Sequence, residues 1–106
     1  MATDYVTLRR WALKPGNDEA VLLTFVNDQL APAWRKIPGC LSLNLLRVRG
    51  EQSYLAVVYW ETKEACDAWS GAAGQSWRDE HRAVLERWLD LTSYQDETEA
   101  DLLVVG

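Results

Sequence analysis

The chain has 106 residues and a mass of 12.1 kDa, enough for one domain with its own core and too little for two. Hydrophobic residues make up 48% and charged residues 25%, the balance of a folded chain rather than a disordered one. Lys and Arg total 11 against 16 Asp and Glu, a net charge of −5; neither nucleic acid nor an anionic membrane is therefore an expected partner, since both need a net positive face.

In chain order, Tyr5–Leu13 reads as a strand, stopped by Lys14-Pro15-Gly16. Asn17 is the expected N-cap of the next helix, with Asp18 and Glu19 placing negative charge in its first turn. Leu22, Val26, Leu30, Ala33 and Ile37 recur at helical spacing. Pro32 interrupts them and should kink the helix or restart it near Ala31, because proline has no N–H to donate. Pro38-Gly39 ends this segment. Residues 41–49 are expected as the second strand, with Leu41, Leu43 and Leu45 on one face, and residues 54–60 as the third, across a turn at 50–53. The third strand is apolar on both faces, so both should be covered.

Thr62 can cap a short helix ending at Trp69 or Ser70, with Ala65, Cys66 and Trp69 inward. After Gly71-Ala72-Ala73-Gly74, a single helix is expected over residues 75–90 with Trp77, His81, Val84, Leu85 and Trp88 on one stripe. Residues 91–95 read as a fourth strand, 96–101 as an acidic loop and 102–105 as an apolar tail. The order β-α-β-β-α-β predicts an α+β, ferredoxin-like split domain. Its helices cover one sheet face only, and a second copy packed face to face would cover the other, giving a homodimer closed as a dimeric α/β barrel with the tail as an arm on the partner.

The chain lacks a nucleophile elbow, a Walker lysine and a dinucleotide fingerprint. With one histidine it is not expected to build a metal site from its own side chains. Cys40 and Cys66 are expected as reduced thiols. No secretory or membrane-spanning segment is expected, so a cytoplasmic location is. His81, four residues after Trp77 and three before Val84, should point inward, either tied to a backbone carbonyl or serving as an axial ligand or proton relay beside a bound ring. Six Trp and four Tyr suit a heavy core or a pocket for a planar aromatic ligand. Arg9, Arg47 and Arg49 lie on strands, where each could stabilise a bound anion or bridge charges.

Pro38-Gly39-Cys40-Leu41, then Leu46-Arg47, then Tyr59-Trp60-Glu61-Thr62-Lys63-Glu64-Ala65 resemble the antibiotic biosynthesis monooxygenase family. The resemblance implies one domain over residues 1–106, with a core at 4–97, a C-terminal arm at 98–106 and a dimeric barrel. Two of the family's activities compete. The cofactor-independent branch oxidises phenols, quinols and polycyclic aromatics with O₂ alone, in an enclosed pocket. There the resemblance implies that Trp60 lines the pocket beside Tyr59, Trp69 and Trp77, that His81 or Tyr94 is the base forming a phenolate, and that an arginine such as Arg9 stabilises it. The haem-degrading branch implies a tetrapyrrole ligand, with His81 as axial ligand and Trp69 as the indole that ruffles the macrocycle. Arg9 stands where that branch carries an asparagine, and an ungapped reading puts Arg78 at the ligand position. Cofactor-free oxidation leads, with haem as the alternative and a non-enzymatic, ligand-binding dimeric barrel as the third reading.

Overall fold

The computed structural model describes residues 4–104. Strand β1 (Tyr5–Leu13) lies inside an antiparallel sheet ordered β2-β3-β1-β4, with β2 at Cys40–Arg47, β3 at Ser53–Trp60 and β4 at Thr92–Asp101. Pairing sets which side chains share a face. Tyr5, Thr7, Arg9 and Trp11 stand opposite Trp60, Val58, Ala56 and Tyr54, and Leu43 and Leu45 of β2 extend the same face. That face carries the helices and the core. The other face presents Val6, Leu8, Leu55, Val57 and Tyr59, of which Val6 and Val57 are buried and the others partly exposed, with no described helix making more than slight contact there. Cover on both faces of β3 is thus not achieved by one chain.

Helix α1 (Glu19–Phe25) begins at Asp18, whose carboxylate accepts from the Ala20 N–H at 2.8 Å. Asp18, not Asn17, is therefore the N-cap; the Asn17 amide turns to the Asp90 and Leu91 carbonyls at the far end of the sheet. The predicted stripe of Leu22, Val26, Leu30, Ala33 and Ile37 is buried throughout. Pro32 acts as expected, through a π-helical turn at Val26–Leu30, where the Ala31 N–H reaches back five residues to Val26. The added residue places Pro32 in the first turn of α2 (Ala31–Trp34), where a missing donor costs nothing. Thr62 caps α3 (Lys63–Ser70) by accepting from the Ala65 N–H at 3.1 Å.

Three expectations are corrected. Residues 75–90 are not one helix: α4 (Gln75–Glu80) and α5 (Arg82–Leu91) meet at His81, whose φ and ψ are −107° and 24°. Both the backbone N–H and the ring Nδ1 of His81 approach the Trp77 carbonyl, at 3.0 and 2.9 Å, and a side chain competing for that acceptor bends a helix. The fourth strand runs on to Asp101, so residues 96–101 are no loop and 98–101 no arm. Arg9 faces Glu97 and Arg10 faces Asp96 across the ladder, and such opposite pairs stabilise a strand whose acidic residues otherwise disfavour it. Leu102 continues the pairing onto the Asp4 carbonyl, Leu103 and Val104 are more than 80% exposed, and the rest of the expected tail lies outside the described residues. Leu41 is the extra residue of a bulge between Cys40 and Ser42 and is half-exposed, out of line with Leu43 and Leu45.

Gly39 has φ +80°, and a Cβ there would sit 2.5 Å from the Ala65 Cβ; this contact sets α3 against the start of β2. Gly16, at φ +84°, has open space around it. Gly39→Ala is expected to cost roughly 2 kcal/mol more than Gly16→Ala, since it adds overlap to backbone strain. Equal midpoints for the two variants in urea titrations would refute that contact.

Glu19 ties α1 to the sheet. It accepts from Arg47 Nε and Nη2 at 2.7 and 2.8 Å and from the Tyr54 hydroxyl at 2.8 Å. These bonds, Arg47's first, hold its carboxyl at about 2, against 4.5 ordinarily. A depressed folded-state value means the contribution is complete above 4.5 and is lost as pH falls toward 2. Glu19→Gln is expected to flatten the fall in stability across that window, as read by urea midpoints at stepped pH.

Candidate functional site

Between the helix-bearing face of the sheet and the helices lies a cavity of about 190 Å³. Ala56 opens it: a methyl group stands at the middle of β3 between Arg9 and Leu45 on the neighbouring strands. Val26 and Leu30 of the π turn roof it, Trp11 and Trp88 close one end, and Trp34, Trp69 and Arg78 the other. The walls are almost wholly apolar, and Arg9 and Arg78 are the charged residues among those that line them.

Four indoles meet at the Trp69 end. Trp34 and Trp69 have centroids 5.0 Å apart, and Trp60 and Trp77 each lie 6.0 Å from Trp69. Trp60 is held by the Thr7 hydroxyl at 3.3 Å and Trp77 by the Ala33 carbonyl at 3.0 Å. The Nε1 atoms of Trp34 and Trp69 are buried and have no hydrogen-bond partner. A buried donor left unpaired costs about 1–3 kcal/mol.

The two arginines differ in how their charge is met. Arg9 lies 3.6 Å from Glu97 and places its guanidinium 5.8 Å from the Trp69 ring, a cation–π contact. Arg78 donates to the Trp69 carbonyl, to the Gly71 carbonyl at 2.8 Å and to Gln75 Oε1 at 3.1 Å. All three acceptors are neutral, and Arg78 has no ion pair among the described residues. Gly74 makes this corner possible, since a Cβ there would overlap the Trp69 carbonyl. A positive charge fixed at an apolar wall lowers the pKa of an acidic group brought beside it.

Of the sequence-predicted site residues, the structure brings together Arg9 and Trp69. Trp60 is 1% exposed and packs behind Trp69 rather than lining the cavity. Tyr94, half-exposed on β4, packs edge-on to Trp11 and also stands outside. Tyr59 points to the uncovered sheet face, because it is out of phase with Ala56 and Val58. Arg47 is bound to Glu19, and Arg49 is exposed in the hairpin. His81 does not line the cavity; the helix break at its own backbone takes it off the stripe that Leu85 and Trp88 continue. Its ring stacks on Trp77 at 4.5 Å. Donation from Nδ1–H to the Trp77 carbonyl leaves Nε2 as the free lone pair, the form a metal ligand takes. Cys40 and Cys66 are free thiols, and burial pushes Cys40 up to about 11 and Cys66 upward as well, away from nucleophilic use.

Trp11, Trp34, Trp88 and Arg78 line the cavity without having been among the expected site residues. Arg78 carried one signal, the ungapped register that put it at the ligand position. As a test for haem, the cavity fits poorly. It is below the roughly 300–1,000 Å³ of sites for larger ligands, the inward side chain at the α3–α4 corner is a guanidinium that cannot ligate iron, and His81 is elsewhere. Among the described residues no group of three or more His, Cys, Asp or Glu side chains is placed to hold a metal ion.

Residues 4–87 match the family model described as antibiotic biosynthesis monooxygenase. A heme oxygenase (mycobilin-producing) of Mycobacterium tuberculosis is 41% identical over 54 residues, 50% of this chain and 51% of that protein. The chain thus spans about half the length of the curated relatives it matches. Among solved structures, the heme-degrader MhuD from Mycobacterium tuberculosis, with two hemes bound in its active site, superposes with a TM-score of 0.70 at 27% identity, covering 96% of this chain and 99% of that one. SnoaB, a cofactor-independent oxygenase from Streptomyces nogalater, superposes at 0.68 with 17% identity over 98% and 97% of the two chains, and shares the fold.

Proposed function

Since the chain belongs to the antibiotic biosynthesis monooxygenase family, we propose that its cavity binds a small planar phenol as the phenolate and oxidises it with O₂, without a cofactor. One observation carries this reading: Arg78, a guanidinium met only by neutral acceptors, borders an apolar cavity that Trp69 also lines. Such a site favours an anion with a flat apolar body.

The reaction balances for a phenol with a free ring C–H para to the hydroxyl. One atom of O₂ becomes the new carbonyl oxygen and the other leaves as water, taking the ring proton and one proton from solvent that replaces the one lost when the phenol ionised. The phenol is oxidised by four electrons to the quinone, and O₂ is reduced by the same four. Arg78 and Arg9 stabilise the electron-rich phenolate that reduces O₂, and the indoles stack on it and keep water out. His81 and Tyr94 lie outside the cavity, so this reading gives neither the role of base; the substrate enters already ionised.

A second reading, haem binding, is favoured by the identity to the heme oxygenase and by the free Nε2 of His81. Bound haem would supply its own redox chemistry with O₂; the misfit of the cavity described above ranks this reading second. Two free thiols suit a reducing, cytoplasmic setting, and no described helix is long and apolar enough to cross a membrane.

Titration of 2-naphthol, followed by the naphtholate absorbance, tests the reading. Bound naphthol is expected to ionise at least one pH unit lower than free naphthol, a preference of about tenfold for the anion. Arg78→Gln should abolish the shift, Arg78→Lys should keep part of it, and His81→Ala should leave it unchanged. No shift, together with a Soret band for added hemin that His81→Ala removes, would replace this reading with the second.

The uncovered sheet face also supports a homodimer. Leu8, Leu55 and Tyr59 stay partly exposed on it and Leu46 is 49% exposed, and a second copy is the partner that closes the barrel. Sedimentation equilibrium is expected to give twice the chain mass at micromolar concentration; a folded 12.1 kDa species would overturn the dimer.

A further inference from the structure

Among the described residues, Trp69 borders two separate spaces. One face of its surroundings is the cavity; the other is a cleft of about 330 Å³ between α3, the turn at Ala72–Gly74 and the Pro38-Gly39 corner. Besides Trp69 and Trp77, that cleft is bordered by the small residues Gly39, Ala65, Ala68, Ala73 and Gly74, together with Pro38 and Glu61. Beside Trp69, Trp34 of the cavity and Trp77 of the cleft meet at 5.7 Å and complete the wall between the two.

The four clustered indoles are restrained unequally. Trp60 and Trp77 are each fixed by a hydrogen bond from the ring nitrogen, whereas the ring nitrogen of Trp69 is buried with no partner. The Trp69 backbone is a different matter. Its carbonyl accepts from Arg78, and Gly71 N–H closes the helix end on the Asp67 and Ala68 carbonyls. The main chain is anchored while the ring is held by packing and by Arg9 at 5.8 Å. Rotation about the side-chain bonds would move the ring, against Trp34, Trp60 and Trp77, without moving the helix.

We propose that Trp69 is a swinging partition and that the cleft behind it is a second subsite, which takes the distal rings of an extended fused-ring phenol whose hydroxyl end lies at Arg78. The proposal rests on the phenolate reading of the cavity and adds the length of the substrate to it. A two-ring ligand is contained by the cavity with the partition closed; a four-ring ligand requires it open, and its affinity is reduced by the fraction of molecules with the partition open.

Two probes, 2-naphthol and 1-hydroxypyrene, separate the possibilities by stopped-flow quenching of tryptophan fluorescence. The wild type is expected to bind 1-hydroxypyrene with an observed rate that levels off at high ligand, the signature of an opening step, and 2-naphthol with a rate that stays linear. Trp69→Ala should remove the levelling and tighten 1-hydroxypyrene by about tenfold. Ala73→Leu, which fills the exposed cleft without touching the cavity, should weaken 1-hydroxypyrene by about tenfold and leave 2-naphthol unchanged; it keeps the test decisive if Trp69→Ala fails to fold. Binding of 2-naphthol with no binding of 1-hydroxypyrene, or 1-hydroxypyrene binding that neither variant alters, overturns the partition and spares the phenolate reading. Binding of 1-hydroxypyrene with the expected response to both variants, but without ionisation of either phenol, supports the partition and overturns the phenolate reading. Failure of both probes in the wild type and the folded variants overturns both.

Discussion

The Arg78 guanidinium holds the candidate site together. By donating to the carbonyls of Trp69 and Gly71 it joins the end of α3 to the start of α4, and Gly74 lets the two approach closely enough. Three consequences follow from that one anchor. The backbone carrying Trp69 is fixed against the cavity, a positive charge is placed at an apolar wall, and the α3–α4 turn becomes the boundary of the cleft behind. Because the acceptors are neutral dipoles, the anchor uses the donors of the guanidinium without cancelling its charge.

Opposite this corner, the sheet supplies shape and little chemistry. Ala56 in β3 and the π turn over Val26 and Leu30 open the space, and large residues on all sides bound it. The π turn follows from Pro32, which cannot join an unbroken α-helical ladder; the compensation widens the helix where it roofs the cavity. Local backbone chemistry thus sets the depth of a site whose walls come from distant parts of the chain.

Residues were legible where a local rule decided them. Tyr5–Leu13 as a strand, Thr62 as a cap, Pro32 as an interruption and the buried stripe from Leu22 to Ile37 each follow from spacing or from one residue's covalent structure. His81 departs from the stripe because a stripe assumes an unbroken 3.6-residue period, whereas its backbone leaves the helical region at φ −107° and ψ 24° and its ring shares the Trp77 carbonyl with its own N–H. Residues 96–101 were misplaced because aspartate and glutamate disfavour strands in isolation; Arg9 and Arg10 on the adjacent strand reverse that preference. The resemblance places both Tyr59 and Trp60 at the pocket, although a strand sends neighbours to opposite faces.

The sequence by itself determined the β-α-β-β-α-β order, the one-sided placement of helices and the family, because those depend on periodicity, caps and short motifs that neighbouring residues complete among themselves. Only the tertiary structure decided which charged and aromatic side chains share the cavity. Arg9 on β1, Trp34 on α2, Trp69 on α3 and Arg78 on α4 are brought together by sheet register and helix packing. The break at His81 turns on a hydrogen bond whose geometry appears only once the helix is formed.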